Sequence, residues 1–179
     1  MNELYNACTL CPRKCHINRN LTTGVCNNTS NIKVARSALH YFEEPSISGS
    51  NGSGTIFFSG CNLKCCYCQN KEISTNNFGI NISIKRLSEL MLELQSKKAN
   101  NINLVTPTHF VPSIIEAIKS ARRNGLTIPI VYNTSGYESV DTIKLLDGYV
   151  DIYLTDFKYF DNKLGEDLSK VKNYFEVAS

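Results

Sequence analysis

The sequence lacks a long apolar run, a large charge excess and a recognisable leader, and each lack narrows the possible functions. Its apolar runs have the length of strands, so none predicts a helix that spans a bilayer. Lysine and arginine number 19 against 16 aspartate and glutamate residues, and a net charge of +3 is too small to favour nucleic acid or an anionic membrane as a partner. Residues 1–5 lack the basic and apolar regions of a signal peptide. We therefore expect a cytoplasmic protein with reduced thiols, and neither nucleic acid nor a membrane as its partner.

What the sequence has in quantity is cysteine, and four of its eight cysteines lie within positions 61–68. Disulfides between residues this close would form small strained rings, so a metal ion or an iron–sulfur cluster is the better partner. Cys61, Cys65 and Cys68 have the spacing C-x3-C-x2-C, and three thiolates hold three irons of a cubane while the fourth stays open to a ligand. A structural zinc site is the alternative, but such sites usually have four ligands in two pairs. The adjacent Cys66 does not easily share this geometry, and we expect it to be a small buried residue.

A second group of four cysteines lies near the N-terminus, with the spacing C-x2-C-x3-C-x10-C. Residues 1–30 contain too little apolar material for a core of their own, and small segments of this kind usually need a metal or a crosslink. Four thiolates would bind one zinc ion or one iron–sulfur cluster, but the spacing matches neither standard pattern, so the metal stays open. Four unligated thiols are the alternative, and His16 is expected to be an ordinary loop residue although it could replace a cysteine. The four candidate ligands are Cys8, Cys11, Cys15 and Cys26.

Two features precede the first predicted strand. Glu43 and Glu44 are adjacent, and neighbours in an extended chain point in opposite directions, so we expect solvated or salt-bridged carboxylates rather than an acid–base pair. The glycine and serine run at 48–54 predicts a flexible or closely packed linker. This run has neither the Lys-Ser/Thr ending of a P-loop nor the spacing of a dinucleotide-binding loop, so a phosphate site is not favoured.

From residue 55 onwards, strand patterns and helix patterns alternate. The 179 residues, 42% of them hydrophobic, suffice for one sizeable core. Alternating strands and helices predict right-handed βαβ units and a parallel sheet. The fold class is therefore α/β, a partial (β/α) barrel preceded by a small cysteine-rich segment. The predicted strands are 55–59, 102–105, 128–132 and 150–154, and the predicted helices are 83–98, 111–123, 139–146 and 165–177.

Polar residues follow each predicted strand, at the edge of a parallel sheet where ligands bind. The cysteine loop follows the first strand, residues 106–109 the second, 133–137 the third and 156–158 the fourth. Each group also has an ordinary explanation, because threonine and asparagine are common in turns. By the same argument, His109 is a helix-start residue, and Asp156 and Lys158 form a surface pair.

The chain resembles the radical S-adenosylmethionine superfamily at the loop of Cys61, Cys65 and Cys68, where an aromatic residue, here Tyr67, precedes the last cysteine. Within it, the pyruvate formate-lyase-activating-enzyme-like proteins are the most similar group. The segments 43–45, 68–70, 101–109 and 151–159 and the glycine and serine run resemble that group, so nearly the whole chain is covered.

The resemblance implies a [4Fe–4S] cluster on the three loop cysteines, with S-adenosylmethionine bound to its fourth iron. Residues 106–108 stand where the superfamily commonly has Gly-Gly-Glu, which contacts the methionine amino group. Residues 133–137 and 156–158 resemble the contacts to the ribose and the methionine. The implied cofactor-binding residues are Tyr67, Thr106, Thr108, Asn133, Ser135, Asp156 and Lys158.

The implied reaction begins with one electron from a reduced flavodoxin or ferredoxin. S-adenosylmethionine is then cleaved to methionine and a 5′-deoxyadenosyl radical, which abstracts hydrogen from a substrate. A glycine of a glycyl radical enzyme is the substrate that the resemblance favours. Another peptide or small molecule is one alternative, and a metal-binding or electron-carrying module without turnover is a second.

The number of predicted strands is smaller than this architecture ordinarily has. Four predicted strands compare with six βα units in the superfamily's partial barrel. We therefore predict three parts, namely a cysteine-rich segment at 1–47, a linker at 48–54 and an incomplete barrel at 55–179. The strand at 150–154 is expected to lie at the sheet's edge with unpaired backbone groups. On this interpretation efficient turnover is lost unless another chain covers that edge.

Overall fold

The computed structural model describes residues 2–179, and the strands among them form one six-stranded sheet. The strands are β1 (Lys33–His40), β2 (Ser53–Phe58), β3 (Ile80–Asn81), β4 (Ile102–Val105), β5 (Ile130–Thr134) and β6 (Ile152–Thr155). Their order across the sheet is β3-β1-β2-β4-β5-β6, with β2, β4, β5 and β6 parallel to one another. Within residues 2–179 the two outer strands do not pair with each other, so the sheet is open. The predicted α/β class and partial barrel are confirmed.

The helices follow the strands in the predicted alternation. They are α1 (Pro45–Ser48), α2 (Lys71–Ser74), α3 (Ile84–Ser96), α4 (Val111–Arg123), α5 (Val140–Leu145), α6 (Asn162–Ser169) and α7 (Tyr174–Ala178), with 3-10 turns at Asn2–Tyr5 and Thr108–Phe110. None of the helices in residues 2–179 has both the length and the apolar character needed to cross a membrane.

The main core lies between the sheet and the two long helices, α3 and α4. Ser83 begins α3 because its hydroxyl accepts a hydrogen bond from the backbone N–H of Arg86 at 3.1 Å. Leucine and methionine side chains one turn apart then face the sheet, and Met91 is fully buried. Burial of an aliphatic side chain of this size stabilises the fold by about 1.5–3 kcal/mol. Packing on this face leaves the carboxyl ends of the strands free to carry the site.

Several predicted elements differ from the structure. β5 and β6 each begin two residues later than predicted. β1 and β3 were not predicted as strands. β1 pairs antiparallel with β2, and this pairing forms only when the tertiary fold brings the two segments together. β2 begins at Ser53, so the last part of the predicted linker belongs to the sheet. The single helix predicted at 165–177 is wrong, because Lys170 adopts a left-handed backbone conformation that separates α6 from α7.

β6 is an edge strand, as predicted from the strand count. It pairs only with β5, and its side chains Ile152 and Tyr153 are 38% and 43% exposed. A second, smaller core supports the cysteine loop near this end of the sheet. Leu63 of the loop is buried there with Tyr174 of α7, and the backbone N–H of Cys66 donates to the carbonyl of Leu168 in α6. The last two helices therefore hold the loop from outside.

Candidate functional site

The cysteine loop leaves the carboxyl end of β2 through a sharp turn at Gly60. Gly60 is buried and has a φ of 80°, a backbone conformation that favours glycine. The preceding Ser59 is fixed by its backbone N–H, which donates to Lys33, and by its hydroxyl, which donates to the carbonyl of Phe78 at 2.5 Å. The turn directs the following residues over the carboxyl ends of the parallel strands.

Each of the three loop cysteines has a hydrogen-bond partner for its sulfur. The Cys61 sulfur accepts from the backbone N–H of Leu63 at 3.4 Å, and the Cys65 sulfur accepts from the Ser169 hydroxyl at 2.8 Å. The Cys68 sulfur lies 3.2 Å from the hydroxyl of Ser74. Donors of this kind favour the negative charge of a bound thiolate.

The thiol of Cys61 needs a metal in order to lose its proton. Burial raises the pKa of Cys61 to about 11, and the neighbouring Cys65 and Cys68 raise it further against the hydrogen bond from Leu63. A coordinating metal removes the proton from such a thiol outright.

The three loop thiols suit a cluster better than a zinc ion. A structural zinc ion usually takes four ligands, whereas a cubane can be held by three thiolates that bind separate irons. Cys61, Cys65 and Cys68 line one cavity of about 650 Å³, so these three residues would hold a cluster there.

Cys66 corrects one expectation. It is exposed rather than buried. Cys66 lies in a turn that the backbone N–H of Cys68 closes by donating to the carbonyl of Cys65 at 3.3 Å, and in this turn Cys65 lines the cavity whereas Cys66 does not.

The structure brings all seven predicted cofactor-binding residues to the same cavity as the three loop cysteines. They come from the loop and from the carboxyl ends of β4, β5 and β6, as expected for a parallel sheet. Their role in binding the cofactor stays a prediction. The seven are Tyr67, Thr106, Thr108, Asn133, Ser135, Asp156 and Lys158.

Asp156 and Lys158 form the predicted ion pair, and they also line the cavity. Their charged atoms lie 3.0 Å apart, with the Lys158 side chain 22% exposed and the Asp156 side chain 67% exposed. Burial lowers the pKa of Lys158, but the hydrogen bond from Lys158 to Asp156 outweighs it and the net shift is upward. Lys158 therefore stays charged beside the cavity.

Glu43 corrects the expectation of solvated or salt-bridged carboxylates. Its carboxylate is half-buried and accepts from the amides of Asn103 at 2.8 Å and Asn133 at 3.3 Å. Glu44 is exposed, as expected. The amide oxygen of the fully buried Asn103 has no partner in residues 2–179. The Glu43 carboxylate lines the cavity with Asn133, whereas Asn103 does not.

Thr106 is strained in a way that bears on the resemblance. Its φ is 58°, which is rare for a β-branched residue and easy for glycine. By the resemblance it stands where the superfamily commonly has a glycine, the residue that adopts this conformation most easily. Its N–H donates to Asn133 at 3.0 Å, which holds the strand end in place.

We expect Thr106→Asn to raise the free energy of unfolding by about 1 kcal/mol, because asparagine tolerates this backbone conformation better. Urea denaturation measures the change. Thr75→Asn is the matched control, since Thr75 has a φ of −107° and no such strain to relieve. Equal changes in both variants would show that the conformation of Thr106 costs nothing.

The sequence did not predict a role for Glu138 in the site, because neither periodicity nor a motif distinguishes this residue. Its carboxylate accepts from the hydroxyls of Thr108 at 2.6 Å, Tyr132 at 3.3 Å and Thr134. The hydroxyl of Thr108, predicted to bind the cofactor, is therefore engaged inside the protein. Burial raises the pKa of Glu138 to about 7, against the lowering effect of the three hydroxyls.

The stability of the protein should therefore fall as pH rises through the titration of Glu138. Because its folded pKa of about 7 exceeds the ordinary value of 4.5, the stabilising contribution is complete below pH 4.5 and is lost towards pH 7 and above. Relative to Glu138→Gln, the wild type should lose about 3 kcal/mol between pH 4.5 and pH 8. Urea denaturation across this range measures it, and the other titrating groups cancel in the comparison. Parallel pH profiles would contradict the assignment.

His109 lies in the 3-10 turn that precedes α4, as expected of a helix-start residue, and it is buried. Its Nε2 lies 2.8 Å from the carbonyl oxygen of Ser59, so this nitrogen carries the proton and donates. Burial, with the nearby Arg19, lowers the pKa of His109 to about 3, and the ring stays neutral. His109 thus ties α4 to the strand that precedes the cysteine loop.

The structure also gathers the four N-terminal cysteines. Cys8 and Cys26 are buried, and the sulfurs of Cys15 and Cys26 each lie 3.6 Å from the point where a side chain on Gly24 would begin. Burial first, and then the neighbouring thiols of the group, raise the pKa of Cys11 to about 12. His16 is exposed with a φ of 51°, in keeping with an ordinary loop position.

Comparison with known proteins agrees with this geometry. The Radical SAM superfamily model matches residues 55–178. The chain is also 36% identical over 183 residues to the uncharacterized protein MJ0674 of Methanocaldococcus jannaschii, in an alignment that covers 98% of this chain and 52% of that protein. The chain thus spans about half the length of this curated relative. The matched region contains all three cysteines of the loop and the cavity residues of β4, β5 and β6. The chain therefore belongs to the radical SAM superfamily, and this membership implies a [4Fe–4S] cluster and S-adenosylmethionine as cofactors.

Proposed function

We propose that this protein is a radical enzyme of the activating-enzyme type, whose substrate is a glycine residue of a glycyl radical enzyme. The single observation that carries the proposal is the shared cavity. Three cysteines with cluster spacing and seven polar residues from the loop and the strand ends line one space of about 650 Å³. When bound, the cluster and S-adenosylmethionine would supply a one-electron cleavage that yields a hydrogen-abstracting 5′-deoxyadenosyl radical.

The chain's own residues would bind and orient the cofactor. Cys61, Cys65 and Cys68 would hold the cluster, with their sulfurs kept in place by Leu63, Ser169 and Ser74. Lys158, charged and paired with Asp156, would face the carboxylate of the methionine portion. Asn133 and Ser135 would face the ribose.

The proposal also covers the electron donor, the cellular compartment and the metal of the N-terminal cysteines. The electron donor is a reduced flavodoxin or ferredoxin, and the protein acts in the cytoplasm, where eight free thiols stay reduced. The similarity to pyruvate formate-lyase-activating-enzyme-like proteins at 43–45, 68–70, 101–109 and 151–159 supports the choice of substrate. The four N-terminal cysteines hold a metal of their own.

The test uses the chain purified and reconstituted with iron and sulfide without oxygen. Dithionite or reduced flavodoxin is added with S-adenosylmethionine, and 5′-deoxyadenosine is measured by chromatography. Its formation supports radical chemistry. A chain that carries at least about four irons and forms no 5′-deoxyadenosine is a module without turnover.

A second experiment identifies the substrate class. An anaerobic pull-down with mass spectrometry is searched for a partner bearing a glycyl-radical motif, and a glycyl radical is then sought by electron paramagnetic resonance after the two proteins are mixed. Formation of 5′-deoxyadenosine without such a radical would assign the enzyme to another peptide or to a small molecule.

A further inference from the structure

The N-terminal segment folds without regular secondary structure between residues 6 and 32. Its chain reverses so that the N–H of Cys8 donates to Ile17 at 2.9 Å and the N–H of His16 donates to Cys8 at 3.0 Å. This pairing places Cys15 beside Cys8. Gly24 lies between the sulfurs of Cys15 and Cys26, and its missing side chain leaves room between them. The segment thus surrounds a small space with thiols.

Arg19 is the unusual residue of this segment. It is 1% exposed, and its guanidinium donates to the carbonyls of Asn28 at 3.1 Å, His109 at 2.6 Å and Thr29 at 2.6 Å. In residues 2–179 no carboxylate lies within ion-pair distance of it. A buried charge without an opposite charge is strongly unfavourable.

The sulfur of Cys8 lies 3.8 Å from Arg19 Nη1, the nitrogen that also donates to the carbonyl of His109. Neutral thiols would not compensate the charge, whereas metal-bound thiolates would. Four thiolates around a [4Fe–4S] cluster or around a zinc ion carry a net charge of about −2. The buried arginine therefore indicates a thiolate–metal centre at this place.

We infer that Cys8, Cys11, Cys15 and Cys26 bind a second iron–sulfur cluster, with Arg19 as its buried counter-charge. Zinc is the competing metal. The hydrogen bonds that join this segment to the cysteine loop favour a cluster, because a one-electron centre beside the first cluster could exchange electrons with it and zinc could not. Metal analysis decides between the two.

The inferred cluster would adjoin the loop of the first one. The amide of Asn28 donates both to the Cys26 carbonyl at 3.0 Å and to the Ser59 carbonyl at 2.8 Å. Arg13, between Cys11 and Cys15 in sequence, donates to the Asn62 carbonyl at 2.9 Å. Direct hydrogen bonds would thus join the two segments that hold one-electron centres. A role of the second centre in catalysis rests on the proposed function.

The experiment measures iron, acid-labile sulfide and zinc in the full chain after anaerobic reconstitution. The wild type should hold about eight irons and eight sulfides, and a Cys61/Cys65/Cys68→Ala protein about four of each, with absorbance near 400 nm. Adding Cys8→Ala and Cys11→Ala to that protein should remove them, whereas adding Cys66→Ala should not. About one zinc in the triple variant, or no metal, would overturn the inference.

Mössbauer spectroscopy of the wild type counts the clusters without variants, so this measurement does not depend on whether the variants fold. Two cubanes should be seen in the intact chain. Dithionite should add one electron to each cluster, and the electron paramagnetic resonance signals of the two reduced clusters should then be broadened by their mutual interaction. A single cubane overturns the inference. Eight irons without cleavage of S-adenosylmethionine would contradict the proposed function alone, and cleavage with four irons would contradict this inference alone.

Discussion

A Cys65→Ala protein will form no 5′-deoxyadenosine above background, even after anaerobic reconstitution. Cys65 lies in the middle of the three-cysteine loop, and its sulfur accepts the Ser169 hydroxyl at 2.8 Å. Two thiolates do not hold a cubane with one open iron, so the site for S-adenosylmethionine is lost together with the cluster. We expect the same loss from Cys61→Ala and from Cys68→Ala.

The matched control is Cys66→Ala, one residue away. Cys66 is exposed and does not line the cavity, so this variant should keep the cluster and its absorbance near 400 nm. Product is measured by chromatography after addition of dithionite, and iron is measured in the same samples. Full cleavage activity in Cys65→Ala would refute the ligand assignment, and a loss with Cys66→Ala would extend it.

Gly60→Ala should unfold the junction between the two cysteine segments. A Cβ on Gly60 would lie 2.0 Å from the Asn28 amide and 2.2 Å from the Cys26 carbonyl, and the φ of 80° is itself unfavourable for alanine. A backbone carbonyl cannot move aside as the end of a flexible side chain can, so Asn28 and Cys26 must leave Ser59 and Gly60. We expect a loss of more than about 3 kcal/mol in the free energy of unfolding.

Gly148→Ala separates the clash from the backbone effect. Gly148 has a similar φ of 74°, but a side chain there would meet nothing within 4 Å. This control should cost only about 1 kcal/mol. Urea denaturation followed by circular dichroism gives both values, and labelling of Cys26 by a thiol reagent reports the opened junction. Equal losses in the two variants would mean that the packing at Gly60 does not matter.

The parts of the site that the sequence predicted well are those encoded over short distances. The spacing of Cys61, Cys65 and Cys68 lies within eight residues, and helix α4 was predicted with the bounds it has in the structure. The polar residues after each strand were also expected at one edge, because parallel strands bring their carboxyl ends together whatever the details of packing.

The parts that were missed depend on contacts between distant residues. Arg19 donates to the His109 carbonyl 90 positions away, and Asn133 donates to Glu43, also 90 positions away. The carboxylate of Glu138 accepts from hydroxyls of the 3-10 turn after β4 and of β5. Neither periodicity nor a motif predicts these contacts.

The sequence by itself determined the alternation of strands and helices, the position of the cysteine loop at a strand end and the abundance of thiols in two groups. It did so because period, spacing and residue type act locally. Only the tertiary structure decided that Cys66 faces solvent, that β1 joins the sheet and that Cys26 lies beside Gly60. The reason is that burial and charge compensation depend on surfaces that meet only after folding. The sequence shows an arginine at position 19, but only the folded structure shows that its guanidinium is buried and which groups contact it.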